Sequence, residues 1–423
     1  PGRRAASRPP ALRAGQSLGP WPTWPLSPLP GRLASKRTLR TPASLTATAL
    51  FCARPSKCVR VLGGSRLSVV VARRDSLTHL DGVTAFAVNL AKGFLRLGRR
   101  VALMSWGLLR PPPPYKSFEE YLAEVHGLAG VDVLTIAGRG LGSHPEPRVS
   151  LGWLLRGPRV LRSWGADALI LSGVVPTTFR PRIAVVHDVA RLRSRAGRWL
   201  YRRLYASYDA VVCVSEKGRE EAEGAGVDCD YVIYDPVDLE PYRPRPYESR
   251  ERLLVHVGTR GEKNLQISLA AVELLRREGL DVRLAVFGTG GRELVKSAYG
   301  DVPGWVEVYD YAPVSVKAEV ISKAAALLLP SSHEAFSYTA IEAMASGTPP
   351  VVSEAVPPEV VVDGYNGVRV GELSPRAFAE AVKALLTDEG LWRRLSRNGV
   401  EFARRFDAAE VARRYEEVIR KLA

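Results

Sequence analysis

The chain has 423 residues, 46% of them hydrophobic and 25% charged, which suits two or three cored domains and excludes a disordered or fibrous chain. It holds no run of about 18 apolar residues, so no membrane-crossing helix is predicted. The formal charge of +16 is unevenly placed: residues 1–66 hold twelve of the 60 Lys and Arg and no acid, leaving 48 basic against 44 acidic residues in the body, which argues against nucleic-acid binding there.

Residues 1–66 are rich in Pro, Arg, Ser and Ala and lack helical periodicity. Such a segment cannot bury enough apolar surface to offset chain entropy, so disorder is expected. It also has the composition of a transit peptide. The reading adopted is plainer, a start assigned too far upstream of a protein that begins near Val61. Cys52, Cys58, Cys213 and Cys229 show no Cys-x-x-Cys spacing. Neither a metal nor a disulfide framework is expected from them, and a reducing, cytoplasmic compartment fits. Scarce Asn, Gln, Met and Cys beside plentiful Arg, Glu and Val lean toward a thermophile source.

From residue 67 short Val/Ile/Leu runs alternate with amphipathic stretches. Strands are predicted at 67–72, 101–105, 131–137, 166–172, 182–188, 209–215 and 231–237. Most are continuous apolar runs, as parallel strands covered on both faces read. Between the first two, Phe86, Leu90, Phe94 and Leu97 fall at helical spacing and Gly98 suits a helix end. The Pro run 111–114 reads as a stiff spacer. A basic stretch with interleaved Trp and Tyr, Arg191 to Tyr205, reads either as a solvated helix face or as a contact for an anionic membrane surface or lipid-linked acceptor.

The Pro- and charge-rich stretch 235–252 reads as an interdomain linker. A second series of strands follows, at 253–258, 282–288, 306–311, 325–330, 350–353 and 367–370. The expected architecture is α/β: two Rossmann-like doubly wound domains facing across a cleft, spanning 67–240 and 241–405, with ligand at the carboxyl ends of their strands. Residues 406–423 form a last helix.

The most informative stretch is "SSHEAFSYTAIEAMASGTPPVV", Ser331 to Val352. Pro330 ends a buried strand, Ser337 suits an N-cap, Tyr338 to Ser346 forms a short helix, and Gly347 with Pro349 ends it. The turn Glu334–Tyr338 therefore presents unpaired backbone N–H groups and a positive helix end, a ready phosphate site. Glu334 and Glu342 bracket it. Carboxylates repel phosphate, so both acids must hold hydroxyls beside it, unless Glu334 only complements the helix dipole and Glu342 is merely solvated. A nucleotide-diphosphate sugar has hydroxyls on both sides of its phosphates.

This segment resembles the donor-binding signature of retaining glycosyltransferases of family 4, which have the GT-B fold. Glu334 and Glu342, with seven residues between them, match its Glu pair; Pro358, Glu359, Asp363, Gly364 and Gly367 match its tail. The resemblance runs over roughly residues 67–423. It implies that Glu334 holds the donor sugar, that Glu342 accepts from ribose hydroxyls, and that the N–H groups of Ala335, Phe336, Ser337 and Tyr338 face the diphosphate and sugar. Many relatives have glycine in this turn, where this chain has Phe336-Ser337-Tyr338. That bulk makes the turn the first place to look for donor preference.

"HVGTRGEKN" leaves a strand through Gly258 and brings Arg260 and Lys263, which resemble the family's diphosphate-neutralising cations. Fixed cations stabilise the charge that develops on a departing diphosphate. Gly82 in "DGVTAF" sits where relatives let backbone approach phosphate or acceptor. His187 ends a strand where a family histidine contacts the donor sugar. Val214-Ser215-Glu216 fits a packing motif. The resemblance also implies that the final helix packs back on the first domain.

The resulting expectation is a retaining, metal-independent hexosyltransferase moving a sugar from a nucleotide-diphosphate donor to a saccharide or lipid-linked hydroxyl, without a cofactor. The alternatives are a sugar-nucleotide-binding partner or regulatory subunit without transferase activity, and an epimerase of the same fold. Asp228-Cys229-Asp230 spells the metal motif of the other large glycosyltransferase fold, but so short a pattern arises readily by chance. "GTGGRE" from Gly288 has Glu293 in place of the third glycine of a dinucleotide fingerprint.

Overall fold

The structure is a computed structural model that describes residues 67–75, 77, 82–108, 115–139, 146–187 and 195–423. The basic tail, the Pro run 111–114 and residues 188–194 lie outside the described residues.

The first half runs β1 (Ser68–Arg73), α1 (Gly82–Arg96), β2 (Arg100–Leu108), α2 (Phe118–His126), β3 (Asp132–Arg139), α3 (Glu146–Leu155), α4 (Gly157–Trp164), β4 (Ala168–Ser172), β5 (Arg182–Val186), α5 (Arg195–Ala206), β6 (Ala210–Cys213), α6 (Glu216–Gly224) and β7 (Tyr231–Val232). The second half runs β8 (Glu251–Val257), α7 (Leu265–Arg277), β9 (Arg283–Phe287), α8 (Gly291–Tyr299), β10 (Val306–Tyr309), α9 (Val314–Lys323), β11 (Ala324–Leu329), α10 (Tyr338–Ala345), β12 (Pro350–Ser353), β13 (Val368–Val370), α11 (Pro375–Thr387), α12 (Glu389–Ala403) and α13 (Ala408–Leu422).

Both sheets are parallel throughout, with orders β3-β2-β1-β4-β5-β6-β7 and β10-β9-β8-β11-β12-β13. The continuous apolar runs follow from burial on both faces. In β1, Val69 and Val71 enter one core while Val70 and Ala72 enter the other. In β8, Val255 and Leu254 divide the same way. Strand order reverses between β1 and β4 and again between β8 and β11, and these switch points open crevices at the strands' carboxyl ends.

Three expectations need correction. The strand expected at 231–237 stops at Val232 because the chain leaves the sheet edge there. It crosses to the second half, where Val237 donates to the Phe406 carbonyl at 2.7 Å and accepts from Ala408 N–H at 3.0 Å. The stretch read as a linker is also packed rather than loose, since Asp235, Val237, Asp238 and Tyr242 are buried. Finally, Cys213 and Cys229 are joined as a disulfide, with Cα atoms 5.9 Å apart. β6 and the turn before β7 bring together two cysteines whose spacing carried no signal.

α13 lies on α1 and puts Val411, Ala412, Tyr415, Val418 and Ile419 into a core built otherwise from the first sheet and its helices. Gly93 makes this approach possible, since a Cβ there would stand 2.0 Å from the Ala408 carbonyl oxygen.

Candidate active site

The second switch point collects the charged residues. Buried β11 ends at Leu329, and the turn 330–337 leads into α10, whose N-cap Ser337 accepts from Ala340 N–H. The loop after β8 leaves through Gly258, whose φ of 106° favours glycine. A Cβ there would also meet Lys263 Cγ at 2.8 Å. Asn264, at φ 52°, turns the chain into α7, and its side chain donates to the Pro330 carbonyl at 2.8 Å. Ser332 N–H donates to the Glu262 carbonyl at 2.8 Å. Loop and turn are thus fastened to each other.

Lys263 Nζ donates to Glu334 Oε1 at 2.5 Å, and Ser331 Oγ donates to the same oxygen at 2.8 Å. Both side chains are largely buried. One turn along α10, Glu342 is held by Lys317 of α9, whose Nζ is 2.8 Å from each carboxylate oxygen. Tyr242 is buried nearby; burial first, then the Glu342 charge, pushes its hydroxyl well above the usual range. Each glutamate thus has its own lysine. Lys317 carried no sequence signal, because it meets Glu342 only through the packing of α9 on α10.

Arg260 is not brought to this pair. It is 73% exposed and bonds Glu262 at 2.9 Å. Phe336 turns inward, packing against Tyr234, Tyr338 and Phe406. The Phe336 ring that stands in place of glycine fills the junction between the two halves. The Tyr338 hydroxyl is likewise buried, beside Asp235.

The first half meets this turn through several contacts. Ser215 caps α6 and donates to the Ala335 carbonyl at 3.1 Å. Glu359 Oε1 accepts from the N–H groups of Glu216 and Lys217 at 3.1 and 3.4 Å, complementing the start of α6. Lys217 Nζ donates to the Ala355 carbonyl at 3.3 Å. Gly82 opens α1 opposite the Tyr338 ring, where an added Cβ would lie 3.9 Å away. His187, at the end of β5, has Nδ1 3.7 Å from Asp235 Oδ1 and Nε2 3.2 Å from Ser172 Oγ. Among the described residues no group of three or more His, Cys, Asp and Glu is arranged to hold a metal ion.

His256 was also missed as a working residue. Fully buried in β8, it meets Ser268 Oγ through Nδ1 and the Gly258 carbonyl through Nε2, both at 2.8 Å. It therefore holds the loop that carries Lys263.

Residues 80–241 match the family described as Glycosyltransferase Family 4, and residues 251–388 match Glycosyl transferases group 1. A GDP-mannose-dependent alpha-(1-6)-phosphatidylinositol dimannoside mannosyltransferase of Mycobacterium tuberculosis is 29% identical over 244 residues, 54% of this chain and 62% of that protein. A D-inositol 3-phosphate glycosyltransferase of Xylanimonas cellulosilytica is 31% identical over 272 residues, 55% of this chain and 64% of that protein. The chain thus spans a little under two thirds of the length of these curated relatives. Among solved structures, Anabaena HepE in complex with UDP-glucose superposes with a TM-score of 0.64 at 16% identity, covering 84% of this chain and all of that one. Sucrose-phosphate synthase from Thermosynechococcus elongatus gives 0.61 at 14%, covering 84% and 99%.

Proposed function

We propose, for a chain that belongs to glycosyltransferase family 4 and has the GT-B fold, that it transfers a sugar from a nucleotide-diphosphate donor to a hydroxyl acceptor, with retention and without a metal. The observation that carries this reading is the Lys263–Glu334 pair at the switch point of the second sheet, beside the start of α10. A cation and a helix N-terminus together favour the diphosphate. Glu334, released from Lys263 or sharing it, accepts from sugar hydroxyls, and Glu342 accepts from the ribose.

In the step proposed, the bond between the anomeric carbon and the phosphate oxygen breaks, and its electron pair leaves with the diphosphate. Lys263 and the N–H groups of residues 335–338 stabilise that charge. The acceptor oxygen bonds the anomeric carbon from the same face, and its proton passes to the departing phosphate oxygen. The likeness to a UDP-glucose complex and to a GDP-mannose-dependent relative supports a nucleotide-sugar donor. A thermal-shift panel of uridine, guanosine and adenosine diphosphates and their sugars tests this. A ligand at a hundred times its Kd adds about 2.7 kcal/mol of stability. No shift with any of them contradicts the reading.

Contact with an anionic membrane is part of the same proposal. α5 exposes Trp199 at 62% and Leu200 at 50%, with Arg203 stacked on Trp199. Apolar tips among arginines suit an anionic interface. Arg198→Glu with Trp199→Ser should abolish co-sedimentation with phosphatidylglycerol vesicles. Unchanged sedimentation argues against membrane contact while leaving the transferase reading intact.

A further inference from the structure

One buried carboxyl has no place in the scheme above. Asp235, on the crossing segment just past β7, is 3% exposed. Its Oδ1 is buried and accepts no hydrogen bond from the described residues. Burial pushes this carboxyl up to about 8, and the Tyr338 hydroxyl beside it works in the opposite direction. Two other buried groups near it are also without hydrogen bonds among the described residues: Tyr338 Oη from the start of α10, and Tyr415 Oη from α13. The fourth member is His187, reaching in from the end of β5 with Nδ1 3.7 Å from Asp235 Oδ1. Phe86 packs edge-on against the imidazole at 4.8 Å.

A buried carboxyl oxygen without a hydrogen bond costs stability, and packing alone gives no reason for one here. A reason appears in the geometry of His187. In the tautomer in which Nε2 accepts from the Ser172 hydroxyl, Nδ1 carries the ring proton and faces Asp235. The 3.7 Å gap is slightly beyond hydrogen-bond range, so a small shift closes it. His187 stands at the carboxyl end of the first sheet, where α/β sheets bind ligands, and Tyr338 belongs to the phosphate-ready turn.

Resting on the donor-site reading, we propose that Asp235 is the positioning residue of His187. Its carboxyl takes the Nδ1–H and fixes the ring edge presented to the donor sugar, while the Tyr338 hydroxyl ties that orientation to the phosphate-binding turn. Asp235 acts through His187 and does not itself touch the donor.

The test is calorimetric binding by the full chain of GDP-mannose against GDP, and of UDP-glucose against UDP in parallel. Wild type, Asp235→Asn, His187→Ala and the double variant are compared. Asp235→Asn should leave diphosphate affinity within about twofold and weaken the sugar nucleotide about tenfold, the upper end of what one neutral hydrogen bond contributes. In the His187→Ala background the same change should add less than about twofold, because the interaction is already gone. A tenfold loss in both backgrounds overturns the proposal, and so does an equal loss for diphosphate and sugar nucleotide. Should Asp235→Asn not fold, Tyr338→Phe carries the test, with the same sugar-selective loss expected and no loss overturning it. If wild type binds none of the four compounds, the donor-site reading falls and the proposal with it. Binding with an unaltered sugar preference in the variants overturns the proposal alone.

Discussion

Lys263 has two tasks. It neutralises Glu334 where both are largely buried, and it supplies the fixed cation the donor reading requires. Lys263→Ala should therefore weaken nucleotide-diphosphate binding by the roughly 1.5–3 kcal/mol of a charge-assisted hydrogen bond, read by calorimetry. It should also lower the urea midpoint, because among the described residues Glu334 then keeps only Ser331 as a side-chain partner. Lost stability with unchanged nucleotide affinity would reduce the pair to a structural one. Asp235 makes the opposite kind of prediction. Its carboxyl is raised to about 8 from an ordinary value near 3.8, so the folded state holds a proton that the unfolded chain has released. Its contribution to stability is fully present below pH 4 and is lost as pH rises through 8. Asp235→Asn should thus stabilise little at pH 4 and progressively more toward pH 8 in urea titrations. A pH-independent difference would contradict burial of the carboxyl.

At the scale of elements, the loop 258–264 depends on a neutral histidine. Burial, with Lys263 adding to it, pushes His256 down to about 4, while its bond to the Gly258 carbonyl works against the shift. The stability this gives is present above about pH 6.5 and is lost as pH falls through 4. The urea midpoint should drop across that window, and His256→Gln should flatten the drop. The loss for a buried group is on the order of 3 kcal/mol at the acid end. Little of this was legible beforehand. The strands were, because burial on both faces writes continuous apolar runs such as 324–329. So were the cap at Ser337 and the Glu334–Glu342 spacing, which are local in the chain. Lys317, His256 and Asp235 were not, because each works through a partner brought near by the fold. Arg260 shows the converse, a residue suited by type and position that the loop turns to solvent.

Two crossings of the chain join the halves of the molecule, at 233–238 and at 404–408, and they are bonded to each other at Val237. Around them Asp238 takes Lys92 at 2.5 Å together with Arg96, and Arg96 also bonds Glu240. α13 then seals the first core with residues that lie beyond the second sheet in sequence. The first half is therefore incomplete without the end of the chain, so the two halves should not unfold independently. Gly93 tests this most directly. A methyl group there would meet the Ala408 carbonyl oxygen at 2.0 Å, its carbon at 2.6 Å and Ala412 Cβ at 2.9 Å. Two of those atoms are backbone and cannot rotate away, so α13 must lift from α1. Gly93→Ala should reach the upper end of the roughly 1–3 kcal/mol that overpacking costs. It should also split a single urea transition into two, and open the segment 404–407 to limited proteolysis. One transition with an unchanged midpoint would mean that α13 docks too loosely to couple the halves, which would then be held by contacts such as those of Ser215, Lys217 and Glu359.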